Sequence, residues 1–145
     1  VRNSQNTFFV FLTHAKRKVQ PKTTDMKQVL QMEELVLTAL GIVALYYQPI
    51  HISWWLWPIV FLSPDIAMLG YAINTKTGAA LYNLFHHKGI AVLAAAIGFF
   101  THQPVLMFVG ILLFAHSSFD RIMGYGLKYE DDFKHTHLGW LKGGK

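Results

Sequence analysis

The chain has no cysteine in its 145 residues, which excludes disulfides, iron–sulfur clusters and thiolate metal sites and leaves the redox compartment unmarked. Any metal would have to be held by nitrogen and oxygen donors. Charge is scarce as well: 14% of the residues are charged against 52% hydrophobic, a balance that does not suit a soluble domain of this size. The charges that exist are mostly basic, 13 Lys and Arg against 8 Asp and Glu, with a pI near 9.5. In a membrane chain such an excess reads as flanking charge that meets anionic headgroups, so the bilayer and not a nucleic acid is the expected partner. No internal repeat, heptad or low-complexity segment is present.

What the chain does have is long apolar stretches. Residues 1–27 form a basic arm with Arg2, Lys16, Arg17, Lys18, Lys22 and Lys27, broken by the apolar run Phe8 to Leu12, which is too short to span a bilayer that needs ~20 residues. The basic cluster follows that run and no small-residue cleavage site appears, so the arm reads as lying on the membrane surface and not as a targeting sequence. Four spans follow in a transmembrane domain over residues 28–126. They run from about Leu35 to Ile50, Ile52 to Ile73, Gly78 to Phe100 and Pro104 to Ile122. Glu33 and Glu34 mark the entrance to the first span, and Pro49 ends it. Trp54, Trp55 and Trp57 mark an interface at the start of the second, and Pro58 and Pro64 predict a kink within it. Ala94, Ala95, Ala96 and Gly98 give the third a small-residue face that would let a neighbouring helix approach. The fold class expected is therefore all-α, an integral membrane bundle of four transmembrane helices.

Orientation follows from counting Lys and Arg. Six lie before the first span, one (Lys76) between the second and third, and five from Arg121 onward, while the connections near His51 and His102 have none. The positive-inside rule then puts both the N and the C terminus in the cytoplasm, with residues 127–145 as a cytoplasmic tail. Lys88, inside the third span, needs a partner of its own.

Ionisable groups in lipid cost about 2.5–3.5 kcal/mol each at mid-bilayer on insertion scales, and this chain places several there. At about 1.5 Å of rise per residue, Asp65, the pair His86 and His87, and His116 with Asp120 fall at one depth, in the cytoplasmic half. Asn83 precedes His86 and His87 by three and four positions, and His116 precedes Asp120 by four, so each group shares a helix face. Neighbouring residues point about 100° apart on a helix, and the i+4 relation to Asn83 favours His87 over His86. One reading is a hydrogen-bonded polar core in which Asp120 orients His116, while Lys88 and Arg121 snorkel or form ion pairs. The other is a site for a divalent metal (zinc, manganese or iron) or a proton-linked ligand, built from Asp65, one or both of His86 and His87, His116 and, as a further member, Asp120.

The tail is unlike an ordinary terminus: Gly124, Tyr125, Gly126 and Tyr129 lie directly after the fourth span, and Glu130, Asp131 and Asp132 precede His135 and His137. It reads either as an interfacial segment anchored by tyrosines or as a flap that folds back and brings His135 or His137 to the polar layer.

Several motifs in order, Pro64-Asp65-Ile66-Ala67-Met68-Leu69-Gly70-Tyr71, Tyr82-Asn83 with His86, Ala115-His116, Phe119-Asp120-Arg121, Gly124-Tyr125-Gly126-Leu127-Lys128-Tyr129 and Thr136-His137-Leu138-Gly139, resemble an uncharacterised bacterial membrane family, domain of unknown function 4260. The resemblance covers about Leu35 to Gly139. It implies a four-span bacterial inner-membrane protein and singles out Asp65, Asn83, His86, His116, Asp120, Arg121 and His137 as matching the family's polar positions. It points to His86 in the third span, where the helical-face argument prefers His87. The candidate metal set is then Asp65, His86, His116, Asp120 and His137, supported by Asn83, His87 and Arg121.

Three functions fit these residues. An accessory or structural subunit of a larger membrane complex, packing against other subunits or itself, comes first, since size and the small-residue face suit it. A metal-dependent membrane enzyme of hydrolase type comes second, and a small carrier or proton pathway third.

Overall fold

The computed structural model describes residues 23–144, with side chains from Met26 onward. Most of the basic arm, residues 1–22, lies outside the described residues.

Helix α1 covers Thr23–Tyr46. It begins well before the Leu35 expected from the apolar pattern and runs through Glu33 and Glu34. Leu35 opens the apolar segment and not the helix itself, because glutamate is a good helix former and neither residue interrupts the winding. The chain turns at Gln48 and Pro49, where proline cannot continue the helix.

The second span is continuous in path but changes winding. A 3₁₀ turn (Trp54–Leu56) leads into α2 (Trp57–Leu62), and a 3₁₀ helix of 10 residues (Ser63–Ala72) follows. Pro58 and Pro64 each lie in the first positions of a new element, where the missing N–H costs no hydrogen bond. The expected kink is thus realised as a change from α to 3₁₀ winding. Such runs seldom exceed 3–4 residues, and this one carries Asp65. With its ~2.0 Å rise per residue, 3₁₀ winding also makes Ser63–Ala72 longer than an α-helix of the same number of residues.

The third span is not one helix. Helix α3 (Thr75–His86) is capped by the Asn74 side chain, which accepts from Thr77 N–H at 2.7 Å, and α4 (Lys88–Phe100) starts after His87. The two axes are bent by 47°. His87 is in an extended conformation (φ −86°, ψ 107°), and its Nδ1 accepts from Ile90 N–H at 3.3 Å, capping α4. The helical-face argument for His87 fails because there is no continuous helix there: the residue is exposed and serves as the joint.

Helix α5 (Pro104–Ile122) is the centre of the bundle. Helix α4 packs antiparallel along it and α1 lies against another side, while α3 pairs with the 3₁₀ helix Ser63–Ala72. Gly110 makes the α4–α5 contact possible, because a Cβ there would collide with the backbone of Ala91 and Ala95. The small-residue face of α4 is therefore used within the chain. On the other side a Cβ at Gly41 would lie 2.7 Å from that of Ala115, so α1 and α5 also meet closely. Leu45, Phe108, Leu112 and Ala115 form the apolar core, with Trp57 and Phe61 against it.

Three segments are long and apolar enough to cross a membrane: Met26–Tyr46, Trp54–Ala72 and Pro104–Ile122. The bent pair α3–α4 makes a fourth if it counts as one span. Outward side chains such as Val43, Ile66, Leu69 and Leu93 are more than half exposed, as expected of surfaces in contact with lipid.

The tail departs from a purely α-helical fold. After Gly124, at φ +90°, Tyr125 N–H returns to Asp120 O at 2.9 Å, closing the helix end with a left-handed glycine. Strands β1 (His135–Thr136) and β2 (Gly139–Trp140) pair antiparallel, and Lys128 bridges to Thr136. The segment after α5 is a folded hairpin docked on the bundle.

Candidate metal centre

Four of the residues expected to share one depth converge. Asp65 comes from the 3₁₀ helix, His86 from the last turn of α3, and His116 and Asp120 from consecutive turns of α5. Their donor atoms all lie within 4.8 Å of one another. His86 Nε2 is 3.1 Å from His116 Nε2, 3.3 Å from Asp120 Oδ2 and 3.6 Å from Asp65 Oδ1. His116 Nε2 is 3.5 Å from Asp65 Oδ1 and 3.8 Å from Asp120 Oδ1. A tetrahedral ion with bonds of about 2.0–2.2 Å sets its donors about 3.3–3.6 Å apart. The five distances, from 3.1 to 3.8 Å, run to either side of that edge length, and one donor atom from each residue lies within 4.8 Å of the rest.

The proton inventory points the same way. His86 Nδ1 lies 2.9 Å from Tyr82 O, a carbonyl that can only accept, so Nδ1 carries the hydrogen and Nε2 presents a lone pair to the centre. Fixing the tautomer through a backbone carbonyl is the usual support for a metal-binding imidazole. Tyr82 also donates its hydroxyl to Asp120 Oδ2 at 2.7 Å and stacks on the His86 ring at 3.8 Å between centroids. Asp65 Oδ1 is buried with no hydrogen-bond partner among the described residues. The His86 lone pair can either accept from His116 Nε2–H, 3.1 Å away, or be taken by a cation, and the two carboxylates beside it favour a positive charge at that point. His116 Nδ1 is also buried without a hydrogen-bond partner, so this imidazole lacks the outer support that His86 has.

The centre is closed on most sides. His86 and His116 are buried and Asp120 nearly so, whereas the Asp65 side chain is 34% exposed. Phe61 sets its ring edge-on to His116 at 5.5 Å. Access runs past Asp65.

His137 does not join the set. Its Nδ1 accepts from Leu127 N–H at 2.8 Å and its own N–H donates to Leu127 O at 3.0 Å, so it ties the hairpin together. Burial, and then the charge of Arg121, hold its imidazole below the usual histidine range. His135 is also elsewhere, paired with Asp131 at 2.8 Å and stacked on Trp140. The tail does fold back, but it presents Lys128 instead of a histidine. Asn83 makes that docking: its Oδ1 accepts from Lys128 N–H at 2.7 Å and its Nδ2 donates to Lys128 O at 2.9 Å. The Lys128 ammonium donates to Phe133 O at 2.8 Å and sits over the rings of Phe133, Tyr82 and Tyr125. Burial lowers its pKa from the usual lysine value, and the charges of Asp120 and Asp132 oppose that shift.

The sequence reasoning missed Lys128, which it counted among the flanking charges. It also missed Glu34 as a partner. Glu34 pairs with both Lys88 and Arg121, the latter at 3.6 Å, so one carboxylate of α1 answers the two cations that α4 and α5 carry into the bundle. Both therefore form ion pairs, one of the two outcomes expected for them, and Arg121 stands apart from the four converging donors.

Residues 27–141 match the model of a family described as domain of unknown function (DUF4260), and the chain belongs to that family. No curated protein and no solved structure matches it.

Proposed function

We propose that this is a four-span protein of a bacterial inner membrane, with both termini cytoplasmic, that binds one divalent metal and uses it for hydrolysis. The observation that carries the reading is the convergence of Asp65, His86, His116 and Asp120 from three elements, with Asp65 Oδ1 buried and unpartnered. Zinc, manganese and iron all accept two imidazoles and two carboxylates. His86, His116 and Asp120 are the fixed ligands. Asp65, on the accessible side, would be the labile fourth donor and the base beside an entering water, and a metal held by these residues would supply the Lewis acidity that ester or amide hydrolysis needs. Three fixed donors with one exchangeable position is the division that catalytic zinc sites use.

The direct test is the metal content of the full chain purified in detergent. One equivalent per chain is expected, retained in the parent and lost in His116→Ala. A parent chain without stoichiometric metal that also fails to take up zinc, manganese or iron after dialysis overturns the reading. The accessory-subunit role stands second, because the small-residue face that recommended it is already engaged by α5. A carrier or proton pathway stands third, and no feature of the described residues adds to its case.

A further inference from the structure

A cavity lies beside Arg121, and none of the four converging donors lines it. It is a groove of about 690 Å³ between the start of α1 and the tail hairpin, within the range of small-ligand sites. Met26, Leu30, Leu138 and Leu141 supply apolar walls, while Lys27, Arg121 and Lys142 supply charge. Glu34 is the acidic residue among the lining, and Lys88 already claims a share of it. The Arg121 guanidinium stands 3.6 Å from Glu34, beyond hydrogen-bond reach, and among the described residues it makes no hydrogen bond. Three cations therefore face a cavity with one shared anion. His137 is in the same lining, its pKa lowered by burial first and then by the charge of Arg121.

The position matters as much as the charge. The groove flanks residues 26–34 of α1, where the chain passes from its basic arm into the apolar segment that begins near Leu35. Trp140, also in the lining, is the residue type that settles at headgroup depth. A cationic pocket with apolar walls at that depth matches an anionic headgroup joined to acyl chains. The chain's own N-terminal arm is a poor occupant, since residues 1–22 contain five Lys and Arg and no acidic residue, the same sign as the groove.

We propose that this groove seats the headgroup of one anionic phospholipid, with its phosphate on Arg121 between Lys27 and Lys142 and an acyl chain along Met26 and Leu30. The inference needs only the membrane setting and is independent of the metal.

Native mass spectrometry of the delipidated full chain in detergent, titrated with phosphatidylglycerol or with phosphatidylcholine, tests it. One phosphatidylglycerol per chain is expected, bound more tightly than phosphatidylcholine. Because a basic residue near an anionic lipid surface is worth about 1 kcal/mol, the exposed pair Lys27→Gln and Lys142→Gln should each weaken binding roughly fivefold while leaving thermal stability unchanged. Arg121→Gln should weaken it further. Equal binding of the two lipids, or unchanged binding in the double variant, overturns the proposal. Inorganic phosphate that displaces the lipid at equal concentration points to a soluble anion, and a dimer that the double variant dissociates points to a second copy of the chain. Either result also overturns it.

Discussion

Replacing Tyr82 by phenylalanine removes one hydroxyl and leaves the ring that stacks on His86. In the parent that hydroxyl donates to Asp120 Oδ2 at 2.7 Å, in a place where Tyr82 is 1% exposed. A hydrogen bond to an ionised acceptor is worth about 1.5–3 kcal/mol, and it holds the carboxylate at the angle that puts its oxygens 3.3 and 3.8 Å from the two imidazoles. Loss of an outer-shell partner of this kind lowers metal affinity by about 10–100-fold, which at 1.4 kcal/mol per decade agrees with the hydrogen-bond figure. The assay is competition with a chromophoric zinc chelator on the detergent-solubilised chain, paired with thermal unfolding in excess chelator. Tyr82→Phe should weaken zinc by one to two decades, and its unfolding in chelator should change far less than its zinc-loaded unfolding. If zinc binding is the same in the two proteins, or if the loss of stability is equal with and without metal, then Tyr82 acts through packing and Asp120 is not a ligand.

Asn83→Ala deletes both hydrogen bonds to the Lys128 backbone; at ~1 kcal/mol each the tail should open roughly thirtyfold more often, read as faster amide exchange at Leu127 to Tyr129. Acid should loosen the same hairpin. His137 has its pKa lowered in the folded chain, so the unfolded state binds more protons and stability falls as pH drops below about 6.5, the unperturbed histidine value; protonation also removes the Nδ1 acceptor used by Leu127. Amide exchange at Leu127 should therefore accelerate from pH 7 to 5 in the parent, and His137→Gln should flatten the dependence. Glu34→Gln leaves Lys88 and Arg121 facing each other without the anion they share. Since these side chains are only 16–19% exposed, a destabilisation of about 2 kcal/mol is expected, between surface and fully buried pairs, and Lys88→Met in the same chain should restore part of it.

Much of the candidate site was legible because depth in a membrane is a linear measure along a helix. Counting residues from the polar ends put Asp65, the pair His86 and His87, His116 and Asp120 at one height, and all but His87 meet; the family resemblance, and not the count, singled out His86. What failed was everything that depends on backbone path. Hydropathy registers the amount of apolar sequence, not whether it is wound as one helix, so the joint at His87 was invisible to a face argument that assumed continuous winding. A local cue existed in Gly89, where a Cβ would lie 2.8 Å from the His87 ring, but a glycine alone does not announce a break. The docking of Lys128 on Asn83 joins residues 45 positions apart, and no periodicity reports such a pairing. The pairing of Glu34 was hidden for a related reason: the cations that neutralise it, Lys88 and Arg121, arrive from helices much later in the chain.

The donors also have an order in time. Asp65 and His86 belong to the second and third hydrophobic segments, but His116 and Asp120 reside on the last helix. A chain folded only as far as residue 103 therefore holds two of the four polar groups and half a cluster. The four donors can meet only once α5 has taken its place against α1 and α4, so the cluster depends on the last helix being seated.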